Sequence, residues 1–103
     1  MVYSFEEACR ATALRIANIV IAKQHDYGHD NILAFKEQGL VVRIWDKMSR
    51  LKNLLWKNIE PKNESIEDTF TDIAGYAIIG LMLADHSFLN ELEEIEEDRH
   101  GKS

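Results

Sequence analysis

Apolar residues recur at helical spacing along most of the chain, and nowhere do they alternate convincingly with period two. Phe5, Cys9, Thr12, Ile16, Ile19 and Val20 mark one face of a first helix that reaches about Gln24. It opens on Ser4-Phe5-Glu6-Glu7, a capping box in which Ser4 caps and Glu7 reaches back. The segment His25-Asp26-Tyr27-Gly28-His29-Asp30-Asn31 is dense in turn formers and stops that helix. A short helical turn is expected from Ile32 to Glu37, ending near Gly39. A second long helix follows from about Leu40 to Asn58, with Val41, Ile44, Trp45, Met48, Leu51 and Leu55 facing the core. Its polar side carries Arg43, Asp46, Lys47 and Arg50. Pro61 lies in the connection, and Asn63 or Ser65 caps a third long helix, Glu64 to Ala84. Ile66, Phe70, Ile73, Ala77, Leu81 and Ala84 run along one side of it.

Beyond Asp85, the spacing of Phe88, Leu92 and Ile95 predicts a final helix from about Ser87 to Arg99. Six of the eight residues from Glu91 to Asp98 are acidic, which reads as a solvated face. These elements imply a single domain over 1–103. It is an all-α antiparallel bundle of three to four helices, with a core over about 4–86 and an acidic C-terminal helix over about 87–99. Gly75 and Gly80 weaken the third helix by about 1 kcal/mol each relative to Ala, so close approach of a neighbouring helix is their expected use. That helix is apolar on more than one side, at Tyr76, Ile78, Ile79, Met82 and Leu83. Self-association, as a homodimer or a higher homo-oligomer, is therefore expected to complete the bundle. The alternative is that the last helix folds back over this surface.

Charge narrows the partners. A net charge of −6 over 103 residues argues against a nucleic-acid polymer, which needs a basic surface, but leaves room for a single nucleotide. The lone Cys9 reads as a small buried hydrophobe on the first helix. Without a pairing partner or a signal peptide, the expected location is the cytoplasm. The longest apolar run, Ala77 to Ala84, is too short to span a bilayer, so no membrane partner is expected.

Three constellations could carry chemistry. Asp68 and Asp72 lie four apart, with Glu64 one turn earlier, so their carboxylates share one stripe of the third helix. Like charges at that spacing repel, and a hard cation such as Mg²⁺, which takes oxygen ligands and often holds a phosphate as well, would relieve them. On the second helix, Arg43, Asp46, Lys47 and Arg50 recur at i, i+3, i+4 and i+7. They read either as a ladder of ion pairs or as a phosphate-facing surface to which Asp46 adds a metal ligand. In the turn, Tyr27 and Asp26, preceded by Lys23, could stack on and hydrogen-bond a base, although a plain helix stop explains Gly28 equally well. The four histidines share no metal-ligand spacing.

Taken in order, Lys23-x-x-Asp26-Tyr27-Gly28, Arg43-x-x-Asp46-Lys47-x-x-Arg50-Leu51 and Glu64-x-x-x-Asp68-Thr69-x-x-Asp72-x-x-x-Tyr76 resemble the phage and bacterial family called nucleotide modification associated domain 1. By resemblance that family is grouped with the all-α nucleotide pyrophosphohydrolases of the MazG type. These bind Mg²⁺ through acidic residues on two helices, cleave nucleoside triphosphates to monophosphate and pyrophosphate, and build their bundles from two or more chains. The resemblance implies a Mg²⁺-dependent (or Mn²⁺-dependent) nucleotide pyrophosphohydrolase of phage or prophage origin. Asp46, Glu64, Asp68 and Asp72 would hold the metal, with Glu67 as an alternative auxiliary ligand. Asp46, Asp68, Asp72 and Lys47 would form the catalytic set, and Lys23, Asp26, Tyr27, Arg43, Arg50 and Tyr76 would bind substrate. MazG-type enzymes place a pair of glutamates three apart on the earlier helix, whereas Asp46 here has Arg43 and Ser49 at those offsets. One carboxylate fewer weakens multi-metal binding. Two other readings therefore stand beside the enzyme: a non-catalytic nucleotide binder, and a structural helical oligomer whose acidic stripe pairs with Arg43, Lys47 and Arg50.

Overall fold

Ser4 begins the first helix as its sequence requires. In the computed structural model, which describes residues 3–92, the Ser4 hydroxyl accepts from the Glu7 amide at 3.1 Å and the Glu7 carboxylate accepts from the Ser4 amide at 3.1 Å. The helix, α1 (Phe5–Tyr27), runs one turn beyond Gln24, so Asp26 and Tyr27 belong to its last turn and not to a loop. Gly28 ends it at a φ of 75°, a left-handed value that glycine adopts without steric cost, and its amide donates to the Gln24 carbonyl at 2.8 Å. A single helical turn follows, α2 (Asp30–Leu33), and then α3 (Lys36–Trp56), which starts four residues earlier than its pattern predicts and takes in Gly39. The third long helix, α4 (Ile66–Ala84), is capped by Ser65, whose hydroxyl accepts from the Asp68 amide at 3.0 Å. No strand occurs among the described residues.

α4 is the centre of the molecule, and both α1 and α3 run antiparallel to it. Gly75 of α4 faces Val20 of α1, and Gly80 faces Leu40 of α3. Ile32, Leu40, Ile79 and Phe88 form the buried cluster, with Val20, Leu33, Tyr76, Met82 and Leu83 packed on it. Leu51 and Leu54 are buried further along α3.

The two glycines are not equivalent. A Cβ on Gly75 would meet Val20 Cγ2 at 3.2 Å, so Val20 would have to give way by a few tenths of an ångström, whereas one on Gly80 would stand 3.7 Å from Leu40 Cδ1, an ordinary distance. Gly80→Ala is therefore expected to stabilise the fold by about 0.5–1 kcal/mol through helix propensity, and Gly75→Ala to bring no such gain. Urea denaturation of the two variants checks this, and equal gains would refute the distinction.

Three expectations need correction. Residues 3–15 are exposed throughout, with Phe5 82% exposed and Cys9 exposed, because the first turns of α1 project past the C-terminal end of α4 and find nothing to pack on among the described residues. Of the α3 stripe expected to be core, Leu51 is buried and Ile44 half-buried, but Val41, Trp45, Met48 and Leu55 are each half exposed or more, and Leu40 and Leu54 are buried in their place. A continuous α-helix does not follow α4. His86, at φ 67°, turns the chain into a 3₁₀ turn over Ser87–Leu89, after which Asn90 is extended; the rest of the expected helix lies outside the described residues. The Asp85 carboxylate fixes this break by accepting from the Ser87 amide at 2.9 Å.

Candidate functional site

Turning α3 puts part of its polar side against α4, where it meets the acidic stripe. Lys47 Nζ donates to Glu64 Oε1 at 2.7 Å and pairs with Asp72 Oδ2 at 2.9 Å, so one ammonium joins two carboxylates. From the other flank, Lys23 of α1 reaches Asp72 Oδ1 at 3.4 Å. Arg50 donates to Thr69 Oγ1 at 2.7 Å and to the Glu64 carbonyl. The single hydroxyl proton of Thr69 is shared between Glu64 Oε2 at 2.8 Å and the Ser65 carbonyl at 2.9 Å.

Apart from Lys23, these groups are largely withdrawn from water, with side-chain exposures of 17% for Asp72 and 22% for Lys47. Burial opposes ionisation of Asp72, but the hydrogen bond from Lys47 and the charges of Lys23 and Lys47 more than offset it. The carboxyl is held below its usual 3.8. Lys47 behaves likewise: burial disfavours the ammonium, yet its bonds to Asp72 and Glu64 and their charges hold it above the usual 10.5.

Next to this network a cleft of about 310 Å³ opens between α1 and α3, floored by α4. Lys23 and Tyr27, one turn apart on α1, line one wall, and Arg43 of α3 lines the other. Asp72 and Tyr76, one turn apart on α4, form the floor with Gly75. The Arg43 guanidinium lies 5.9 Å from the centre of the Tyr76 ring, a cation–π contact. Such a volume stands at the lower end of the range for small-molecule sites.

The structure thus brings together Lys23, Tyr27, Arg43, Asp72 and Tyr76 in the cleft, and Lys47, Arg50 and Glu64 beside it. Asp26 is exposed and does not line the cleft. Asp46 and Asp68 are exposed and make no ion pair among the described residues. No three Asp, Glu, His or Cys side chains among the described residues gather as metal ligands would. The four carboxylates therefore do not fit a single Mg²⁺ ion in this arrangement, since only Glu64 and Asp72 converge, and they converge on Lys47. Sequence reasoning quoted Thr69 without giving it a role, although it is completely buried. The available signal was its place between Ile66 and Ile73 on the apolar stripe, where a hydroxyl needs a polar partner.

Fold and site together define a small all-α domain whose cation-lined cleft lies across a central acidic helix. Residues 23–83 match the family described as nucleotide modification associated domain 1, more than half of the chain, and the protein belongs to that family. The matched region starts at Lys23 and so contains every cleft and network side chain named above, while leaving out the projecting start of α1. No curated protein and no solved structure matches the chain. None of the described helices is long and apolar enough to cross a membrane.

Proposed function

We propose that the cleft binds a nucleotide, with its phosphates toward Lys23 and Arg43 and its base against Tyr27 and Tyr76. One observation carries this reading. Four cationic side chains (Lys23, Arg43, Lys47 and Arg50) meet two carboxylates (Glu64 and Asp72) in and beside the cleft, an excess of positive charge within a chain of net charge −6. Local cation excess with flanking aromatic rings suits a ligand that is anionic at one end and flat at the other. Family membership in nucleotide modification points the same way.

A thermal-shift panel of canonical and modified nucleoside mono-, di- and triphosphates tests it. Binding at 100 times Kd adds about 2.7 kcal/mol of stability, a shift of several degrees. No shift with any nucleotide up to millimolar concentration would overturn it and favour the structural oligomer.

A second reading, Mg²⁺-dependent pyrophosphohydrolysis, is supported by one further observation. Glu64 and Asp72 already converge on a single cation, Lys47, and a divalent ion arriving with a polyphosphate would compete for that position. Glu64 and Asp72 are the two carboxylates that would hold such an ion, and it would supply Lewis-acid polarisation of phosphate. Pyrophosphate release from a triphosphate, dependent on Mg²⁺ or Mn²⁺, separates the enzyme from a binder that sequesters or presents its nucleotide.

A further inference from the structure

We infer that the outward face of α3 pairs with the same face of a second copy of this chain, antiparallel about a two-fold axis at Met48. This surface is not the side of α4 from which self-association was expected, and it does not depend on what the cleft binds. Two opposed needs of α3 create it. Its inner side is held against α4 by Leu40, Lys47, Leu51 and Leu54, so its main apolar stripe faces solvent. Trp45 is 70% exposed, Trp56 78%, and Phe70 at the edge of α4 54%. These line one groove of about 700 Å³ together with Val41, Met48 and Leu55.

The size of the face argues for a protein partner. At the 150–250 Å² that one aromatic side chain can bury, the three aromatics alone leave about 300–500 Å² in water. Val41, Met48 and Leu55 add to this and bring the face toward the roughly 800 Å² per partner of a standard interface. A monomer rarely exposes so large an apolar patch without a use for it.

The spacing argues for a copy of the same chain. Val41, Met48 and Leu55 stand seven residues apart, the repeat of a helix seam, and Met48 is equidistant from the other two. Antiparallel pairing about Met48 sets Val41 on Leu55 of the second copy and Met48 on Met48, so every apolar knob meets another. Trp45 then comes beside Lys52 of the second copy, the one charged side chain among the described residues that line the groove. The two Lys52 ammoniums would lie about 12 Å apart along the helix axes, at 1.5 Å per residue, so like charges do not meet. The chain's own acidic run from Glu91 to Asp98 is a poorer occupant, since a groove holding one cation cannot neutralise six acids.

Sedimentation equilibrium and cysteine cross-linking test the pairing. The wild type is expected at twice the chain mass, and Met48→Glu at the chain mass with unchanged helical circular dichroism, since Met48 is 53% exposed and not part of the fold's interior. In a Cys9→Ser background, Met48→Cys should form a covalent dimer on mild oxidation and Lys52→Cys should not, because only a residue on the axis meets its own copy. A monomeric wild type overturns the proposal. So does a dimer that survives Met48→Glu, which would place the contact elsewhere, for instance on the projecting start of α1. Cross-linking through Lys52→Cys but not Met48→Cys overturns the register.

Discussion

Lys47→Met is expected to lower the midpoint of thermal unfolding by about 10 °C, corresponding to a loss of roughly 2 kcal/mol in a domain of this size. Among the described residues Lys47 is the only group that touches both Glu64 and Asp72, and the three side chains are between 17% and 27% exposed. Removing one partner of a fully buried pair costs about 3–5 kcal/mol, and the residual exposure here reduces that. Asp72 would keep only the 3.4 Å contact with Lys23, whose own side chain is 54% exposed.

The difference between wild type and variant should also depend on pH in a defined way. Asp72 has a folded pKa below its unfolded value, so its contribution is present above about pH 4 and is lost as pH falls through the lowered pKa. Lys47 has a folded pKa above its unfolded value, so its contribution is present at neutral pH and is lost as pH rises through the raised pKa. The destabilisation by Lys47→Met is thus expected to be flat between about pH 5 and 9 and to shrink on both sides. Denaturation curves at five or six pH values check it. A difference that grows toward low pH would show that the network is not what Lys47 supports.

Simultaneous Lys23→Ala and Arg43→Ala substitution should weaken nucleotide binding by roughly 100-fold or more while leaving the fold intact. Each cation removed costs at least one charge-assisted hydrogen bond to phosphate, about 1.5–3 kcal/mol. Lys23 is largely exposed and Arg43 is half-buried with its guanidinium over the Tyr76 ring, and neither belongs to the buried cluster. Tyr27→Ala should cost less, about 1–3 kcal/mol, and should matter for nucleotides but not for inorganic triphosphate, because a stacked ring recognises only the base. Calorimetry with a nucleoside triphosphate and with inorganic triphosphate separates the two effects. Arg10→Ala, on the projecting part of α1, should change neither. If the double variant binds as tightly as wild type, the cleft is not where phosphate is held.

The class of fold, the capping box at Ser4, a cap at Asn63 or Ser65 and a helix stop somewhere between His25 and Asn31 were legible in the residues themselves. Each is decided within one or two turns of chain, by the period of apolar positions or by hydrogen bonds between neighbours in sequence. Helix membership of Asp72 and Tyr76 was legible too, because they are spaced one turn apart, whereas Tyr27 read as part of the turn and lies in the last turn of α1. The face that α3 turns to α4 was not legible. Its stripe of Val41, Trp45, Met48 and Leu55 is the more apolar, yet Leu40, Lys47, Leu51 and Leu54 are the residues turned inward. Periodicity shows that a face is apolar but not what covers it.

By itself, then, the sequence determined an all-helical domain with acidic residues along its third long helix and basic residues along its second. Tertiary structure alone decided which of them meet. By aligning α3 antiparallel to α4, it set Lys47 between Glu64 and Asp72, buried Thr69 under Arg50, and left Asp46 and Asp68 in solvent. The physical reason is that a helix fixes the angle between its own side chains but not its rotation against a neighbour. That rotation is set by the sum of packing and charge pairing across the whole interface, and no local stretch of chain contains it.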